Sequence, residues 1–255
     1  MKKLVKIFYD WDTPNDSFVK MAYILKRKKI KNYNFFLKLY DKELVGVDPY
    51  DENLSEEMKA RIQREVSKNF WYFIRECVKI AVPGRLKPFA INRGNLAMLW
   101  CLLNSINAAL VLPRQNYKTQ SACAFYAWCY NFSTENSSIA FFNKRSENCK
   151  ENLGRMKRII EELPPYLQLF SGRKDTINMT YMKNYITQNS VIAYGSANTE
   201  ANADNLGESS PSINSIYCWK ANKCVNRDKE KIPLSLLLNR KIKLQVNTYG
   251  LCLSV

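Results

Sequence analysis

Four apolar residues, Ala109-Leu110-Val111-Leu112, run straight into the polar turn Pro113-Arg114-Gln115-Asn116-Tyr117. The turn ends in Lys118-Thr119, and an apolar helical segment follows at once. The order predicts a buried strand over residues 109–112, a loop, and a helix from 118 to about 130. Such a junction turns backbone N–H groups and a helix N-terminus toward one point, which suits an anion. A lysine there can reach outer phosphates, and a neighbouring hydroxyl can take Mg²⁺. The bland alternative is a strand-turn-helix corner whose lysine is merely solvated.

The flanking pattern extends the same theme. Residues 138–142 (Ser-Ile-Ala-Phe-Phe) read as a second strand. A helix over 146–163 follows and stops at Pro164-Pro165. The middle of the chain is therefore β-loop-α-β-α, the sign of a parallel α/β sheet. Residues 177–187 and 190–196 read as antiparallel strands joined at Gln188-Asn189.

Upstream, Asn53 with Glu56 has N-cap character. Ile62, Val66, Phe70, Phe73, Ile74 and Cys77 then recur at helical spacing, and Pro83-Gly84 closes the helix. A further helix spans about 95–107. Residues 1–52 are basic and aromatic, with little punctuation. Within them Lys26-Arg27-Lys28-Lys29-Ile30-Lys31 precedes Tyr33, Phe35 and Phe36. A solvated helix face with inward aromatics is preferred there over a nucleic-acid-facing strip. From residue 218 on, the tail is rich in Lys and Arg, and Asp228 and Glu230 are its only acids. Residues 232–238 and 242–246 are its candidate strands.

Composition narrows the chemistry. The chain of 255 residues carries 39 Lys and Arg against 23 acids, a net charge of +16. That balance points to an anionic partner, nucleic acid before an anionic membrane; a lysine-rich proteome with solvated side chains is the lesser alternative. With no histidine, a histidine general base, a Ser-His-Asp triad and a Cys₂His₂ zinc site are all excluded. The eight cysteines form no CxxC pair and sit mostly in apolar contexts, as small buried hydrophobes of a reducing compartment do. No apolar run reaches the ~20 residues of a membrane span, and no signal peptide is expected.

The usual P-loop pattern, G-x-x-x-x-G-K-[ST], has Leu112 and Tyr117 at its two glycine positions here. Glycine lets backbone curl round phosphate without a Cβ clash. Tyr117 is tolerable there if its φ stays negative and its ring points away. Around this motif the chain resembles the large terminase subunits of tailed bacteriophages. Pro113-Arg114-Gln115-x-x-Lys118-Thr119 is similar to their deviant Walker A. Asn69-Phe70-Trp71-Tyr72-Phe73 resembles their Asn-Pro-Trp-Tyr-Phe region. Phe89-Ala90-Ile91-Asn92-Arg93-Gly94-Asn95-Leu96-Ala97 resembles the stretch before their P-loop strand. Asn143-Lys144-Arg145, the helix ending Glu162-Leu163-Pro164-Pro165, Asn189-Ser190-Val191-Ile192 and Asn205-Leu206-Gly207 resemble later segments. The likeness covers about residues 65–217.

The resemblance implies a P-loop NTPase-like, mostly parallel sheet with flanking helices after a helical N-terminal region. It implies a basic region over 1–52, an ATPase core over 53–217 and an atypical tail over 218–255. It implies ATP and Mg²⁺ as cofactors. Lys118 would neutralise the β/γ-phosphates, Thr119 would hold Mg²⁺, and Arg114 would act in cis as an arginine finger does. Gln115, Asn116, Tyr117 and Gln120 would complete the nucleotide-binding loop, and the region around Phe89–Arg93 would help hold adenine. The partners implied are double-stranded DNA, a portal protein and a small terminase subunit. The motor would work as a homo-oligomeric ring in the cytoplasm of an infected bacterial host, with no membrane.

The family's next strand ends in Asp-Glu, which orders Mg²⁺ and activates water. It should fall just after residue 213, where the chain reads Ile213-Asn214-Ser215-Ile216-Tyr217-Cys218-Trp219-Lys220, without a carboxylate. Two explanations are open: an interrupted gene, which is preferred, or a short paralogue that binds nucleotide without turning it over. Either way the sheet is expected to be incomplete and the chain inactive alone. A non-catalytic nucleic-acid-binding protein and a helicase-type P-loop ATPase remain as alternatives.

Overall fold

The computed structural model describes residues 6–82, 84–104, 106, 117–143, 146–169, 175–195 and 213–218. It is a mixed α/β protein. Helices are α1 (Asp16–Arg27), α2 (Glu56–Lys68), α3 (Phe70–Tyr72), α4 (Arg93–Leu103), α5 (Lys118–Trp128) and α6 (Ser146–Glu161). Strands are β1 (Phe8–Tyr9), β2 (Lys38–Leu39), β3 (Lys79–Val82), β4 (Arg85–Pro88), β5 (Ser138–Asn143), β6 (Thr176–Ile177), β7 (Tyr181–Lys183), β8 (Ser190–Gly195) and β9 (Ile213–Cys218). The chain forms two compact units. One comprises Met1–Arg93 with Ile159–Gln168, the other Gly94–Arg158 with Leu169–Val255.

The first unit is built on aromatic packing around a buried ionic core. Phe18, Phe36, Tyr72 and Phe73 are fully buried, and Phe35, Phe36 and Trp71 meet edge-on or tilted at 5.0–6.2 Å between centroids. Arg75 lies inside this shell, 1% exposed. It donates Nη1 to the Phe36 carbonyl at 2.8 Å and Nε to Glu76 Oε1, and its Nη2 stands 3.6 Å from Asp10 Oδ2. Burial pushes the Glu76 carboxyl above its ordinary value, while Arg75 and the hydrogen bond from Thr13 pull the other way. The segment Ile159–Gln168 is tied in by phenols. Tyr50 Oη lies 2.6 Å from the Cys77 carbonyl and 2.8 Å from that of Glu162, and Tyr166 Oη donates to the Pro49 carbonyl.

The long helix expected from Asn53 begins later and ends sooner. Ser55 is its N-cap, accepting from Met58 N at 3.2 Å, while Asn53 N is taken by Asp51. Asn69 then leaves helical geometry, caps Tyr72 N and starts α3, which continues as a π-helix over Phe73–Cys77. Residues after Val78 are strand, not helix. Gly84, at φ +80°, makes the turn between β3 and β4 instead of closing a helix. Continuous apolar spacing hid this break, because Asn69 serves a cap as readily as an exposed helical face. The helical N-terminal region contains α1; the basic strip expected as a helix face runs past its end at Arg27, with Lys26–Lys31 exposed, Tyr33 and Phe35 half-buried and Phe36 buried.

In the second unit the sheet order is β6-β7-β8-β5-β9. β5 is parallel to both β8 and β9, while β6–β7 and β7–β8 are antiparallel. The strands expected at 138–142 and 190–196 are present as neighbours, and the position expected for the next strand carries β9. The strand expected at 109–112 and those at 232–238 and 242–246 lie outside the described residues. No described helix is long and apolar enough to cross a membrane.

Candidate phosphate-binding site

The site's framework is α5, a helix buried nearly all round. Ser121, Ala122, Cys123, Ala124, Phe125, Tyr126, Ala127 and Trp128 are all buried. A helix without a polar face belongs in an interior. Small residues let neighbours close on it. Cys123 Sγ lies 3.5 Å from the Asn152 carbonyl of α6, and the Tyr126 ring meets Phe141 of β5 edge-on at 5.9 Å. Burial pushes the Cys123 and Cys129 thiols up to about 12, Arg155 pulling slightly against this at Cys123. They are inert hydrophobes rather than nucleophiles.

The C-terminal end of α5 runs into a π-turn over Cys129–Ser133, and one residue fastens it. Asn189 is fully buried. Its Nδ2 donates to the Tyr130 carbonyl at 2.7 Å and the Thr134 carbonyl at 2.6 Å, and its Oδ1 accepts from Ser137 N at 2.8 Å. One amide thus links the helix exit to the starts of β5 and β8. Sequence reading saw only a turn at Gln188-Asn189; Gln188 does adopt φ +57°.

At the other end stand the expected phosphate ligands. Lys118 is the first residue of α5 and only 5% exposed; Thr119 and Gln120 are half-buried beside it. Their N–H groups lie in the first turn, where no intrahelical acceptor exists. Tyr117 precedes them with φ +54° and ψ +20°. The condition of a negative φ is not met. Tyr117 holds the left-handed conformation that glycine adopts without strain, at the position where the P-loop pattern has glycine. Its ring is 41% exposed. Its carbonyl accepts from both Ser121 N, at 2.8 Å, and Ser121 Oγ, at 2.7 Å, fixing the helix start.

The first turn of α5 carries no acidic residue, and Lys118 has an interaction partner of its own within the fold. Arg114, Gln115 and Asn116 lie outside the described residues. Phe89, expected near adenine, is buried within the first unit, its carbonyl accepting from Asn15 Nδ2 at 2.9 Å. Among the described residues no three Cys, Asp or Glu cluster as a metal site. No protein-family model matches the chain, and no curated protein sequence matches it.

Proposed function

We propose that the chain is an ATP-binding core of the terminase large-subunit type, a component of the machinery that moves double-stranded DNA into a phage procapsid. In this reading β8, β5 and β9 belong to a P-loop NTPase-like sheet, and the triphosphate sits over the start of α5. Lys118 neutralises the β/γ-phosphates, Thr119 takes Mg²⁺, and Arg114 lies against the γ-phosphate. Gln115, Asn116, Tyr117 and Gln120 shape the cradle. A portal protein and a small terminase subunit are the partners this reading implies, in a ring within the host cytoplasm.

The observation that carries the proposal is the buried Lys118 at the positive end of α5, entered through a left-handed residue. A lysine at a helix N-terminus suits a phosphate group, and a triphosphate also supplies the oxygens that Mg²⁺ needs. Turnover is not part of the proposal. β9 ends at Cys218, and Trp219-Lys220-Ala221-Asn222 supply no carboxylate to activate water.

Titration with a fluorescent ATP analogue in Mg²⁺ tests the reading. Wild type binds, and Lys118→Ala binds at least about tenfold more weakly, the loss of one charge-assisted contact or more. Phosphate release stays at background for both. Equal binding by both proteins removes the proposal, and Mg²⁺-dependent turnover refutes the missing-carboxylate argument. The net charge of +16 favours a second reading, a nucleic-acid-binding protein without nucleotide. It predicts salt-sensitive DNA affinity in wild type and Lys118→Ala alike, with no ATP bound by either.

A further inference from the structure

The basic strip after α1 remains unused by the phosphate site, and the structure adds to it what the sequence did not show. Trp11, Tyr23 and Tyr33, distant in the chain, come together. The Trp11 and Tyr23 ring centroids are 5.8 Å apart at 47°, and Trp11 and Tyr33 are 6.2 Å apart at 44°. Trp11 and Tyr33 are half-buried. Tyr23 is 55% exposed, and Ile24 and Ile30 beside it are 40% and 48% exposed. Lys26 Nζ lies 5.6 Å over the Tyr33 ring.

Around these rings stand Lys26, Arg27, Lys28, Lys29 and Lys31, all exposed. Among the described residues none of the five has a carboxylate within ion-pair distance; the i,i+4 pair on α1 is Lys20 with Asp16. The exposed Asp12, next to Trp11, is the local counter-charge. The first cations suit the negative end of α1, but Lys29 and Lys31 lie past it. Lys29 closes α1 in a Schellman turn, with Ile30 N bonded to Leu25 O and Lys29 N to Lys26 O. It does so at φ +57°, where glycine is the usual residue. Lysine thus stands at a position where backbone geometry favours glycine.

We propose that this face, Trp11, Tyr23 and Tyr33 with Lys26–Lys31, binds a single strand of nucleic acid. Exposed aromatic faces accept unstacked bases, and flanking cations follow the phosphates. A duplex hides its base faces, so electrostatics alone would favour duplex over single strand, since the duplex releases more counterions per contact. Preference for a single strand is therefore diagnostic of the rings. The proposal stands apart from the phosphate site and does not depend on it.

Fluorescence anisotropy with a short oligo-dT strand, and with a hairpin duplex carrying the same number of phosphates, provides the test. Wild type binds oligo-dT more tightly than the duplex. Tyr23→Ala, at an exposed position, weakens oligo-dT binding about tenfold while leaving the salt slope unchanged. Replacing Lys28→Gln, Lys29→Asn and Lys31→Gln together weakens binding and lowers the slope of log K against log salt by about 2, from ~0.7 per lost contact. Asn at 29 tolerates the left-handed backbone. Lys118→Ala leaves oligo-dT binding unchanged, so failure of the ATP reading cannot be mistaken for failure here. Equal affinity for duplex and single strand, or full binding by Tyr23→Ala, overturns the proposal.

Discussion

Tyr117 bears a conformational cost on behalf of the residues after it. A left-handed backbone costs a non-glycine residue roughly 1–2 kcal/mol, and Tyr117 adopts one at φ +54° to aim the first turn of α5. Its half-exposed ring returns little of that through burial. Tyr117→Gly removes the Cβ strain, against roughly 0.5–1 kcal/mol of extra chain entropy, for a net gain of about 0.5 kcal/mol. Tyr117→Ala loses the ring and keeps the strain. Urea denaturation should therefore rank Tyr117→Gly above Tyr117→Ala by about 0.5–1 kcal/mol. Should alanine prove the more stable, residue 117 is not left-handed in solution. With ATP analogue present, the glycine variant also binds at least as tightly as wild type, since glycine lets backbone approach phosphate more closely. Sequence alone marked 117 as a missing glycine; it could not say that the backbone would keep glycine's shape without glycine.

At the scale of elements, much of the second unit was legible because its segments announce themselves locally. The start of α5 at Lys118 follows a polar turn, the 138–142 run alternates into β5, and Pro164-Pro165 stops the helix that ends at Glu161. The elements that were missed depend on polar residues whose role is set by partners far away in sequence. Asn69 ends α2 because its side chain serves Tyr72 N and the Lys38 carbonyl together. Asn189 is a turn residue on paper and a three-way clamp in the fold. Asn189→Ala takes a donor from the Tyr130 and Thr134 carbonyls and the acceptor from Ser137 N, at roughly 1–3 kcal/mol for each group left unsatisfied; the Tyr130 carbonyl keeps the Thr187 hydroxyl at 3.3 Å. The expected loss in urea denaturation is about 3 kcal/mol. Asn189→Asp separates the roles: it keeps the acceptor for Ser137 N but sets a carboxylate against two carbonyl oxygens, and should be no better than alanine. A loss under about 1 kcal/mol for alanine would mean that Tyr130, Thr134 and Ser137 find partners without the clamp.

The whole molecule has an unusual titration profile because it lacks histidine, the side chain that ordinarily changes charge near neutrality. Most of the perturbed groups among the described residues sit at higher pH, the carboxyls of Glu76 and Asp41 apart. Burial is the largest cause in pushing up the thiols of Cys77, Cys123 and Cys129 and the phenols of Tyr50, Tyr72, Tyr130 and Tyr166. For Cys123 and Cys129 the folded-state value is about 12, against an unfolded value of about 8.5. A raised folded value means that the unfolded chain loses its proton first. The stabilisation is therefore whole below about pH 8.5 and falls as pH rises toward 12. Loss of lysine charge over the same range relieves repulsion among the excess cations and acts in the opposite direction, but equally in a variant and its parent. The contrast to measure is thus between wild type and Cys123→Ala/Cys129→Ala, by urea denaturation in reducing buffer from pH 7 to pH 10.5. Both hold level between pH 7 and 8. Above that the wild type falls more steeply, by up to about 2.7 kcal/mol per pH unit for two thiols, whatever offset the two small cavities add at every pH. Parallel curves would mean that these thiols ionise in the native state as freely as in the unfolded chain, and that the packing of α5 against β5 and α6 admits water.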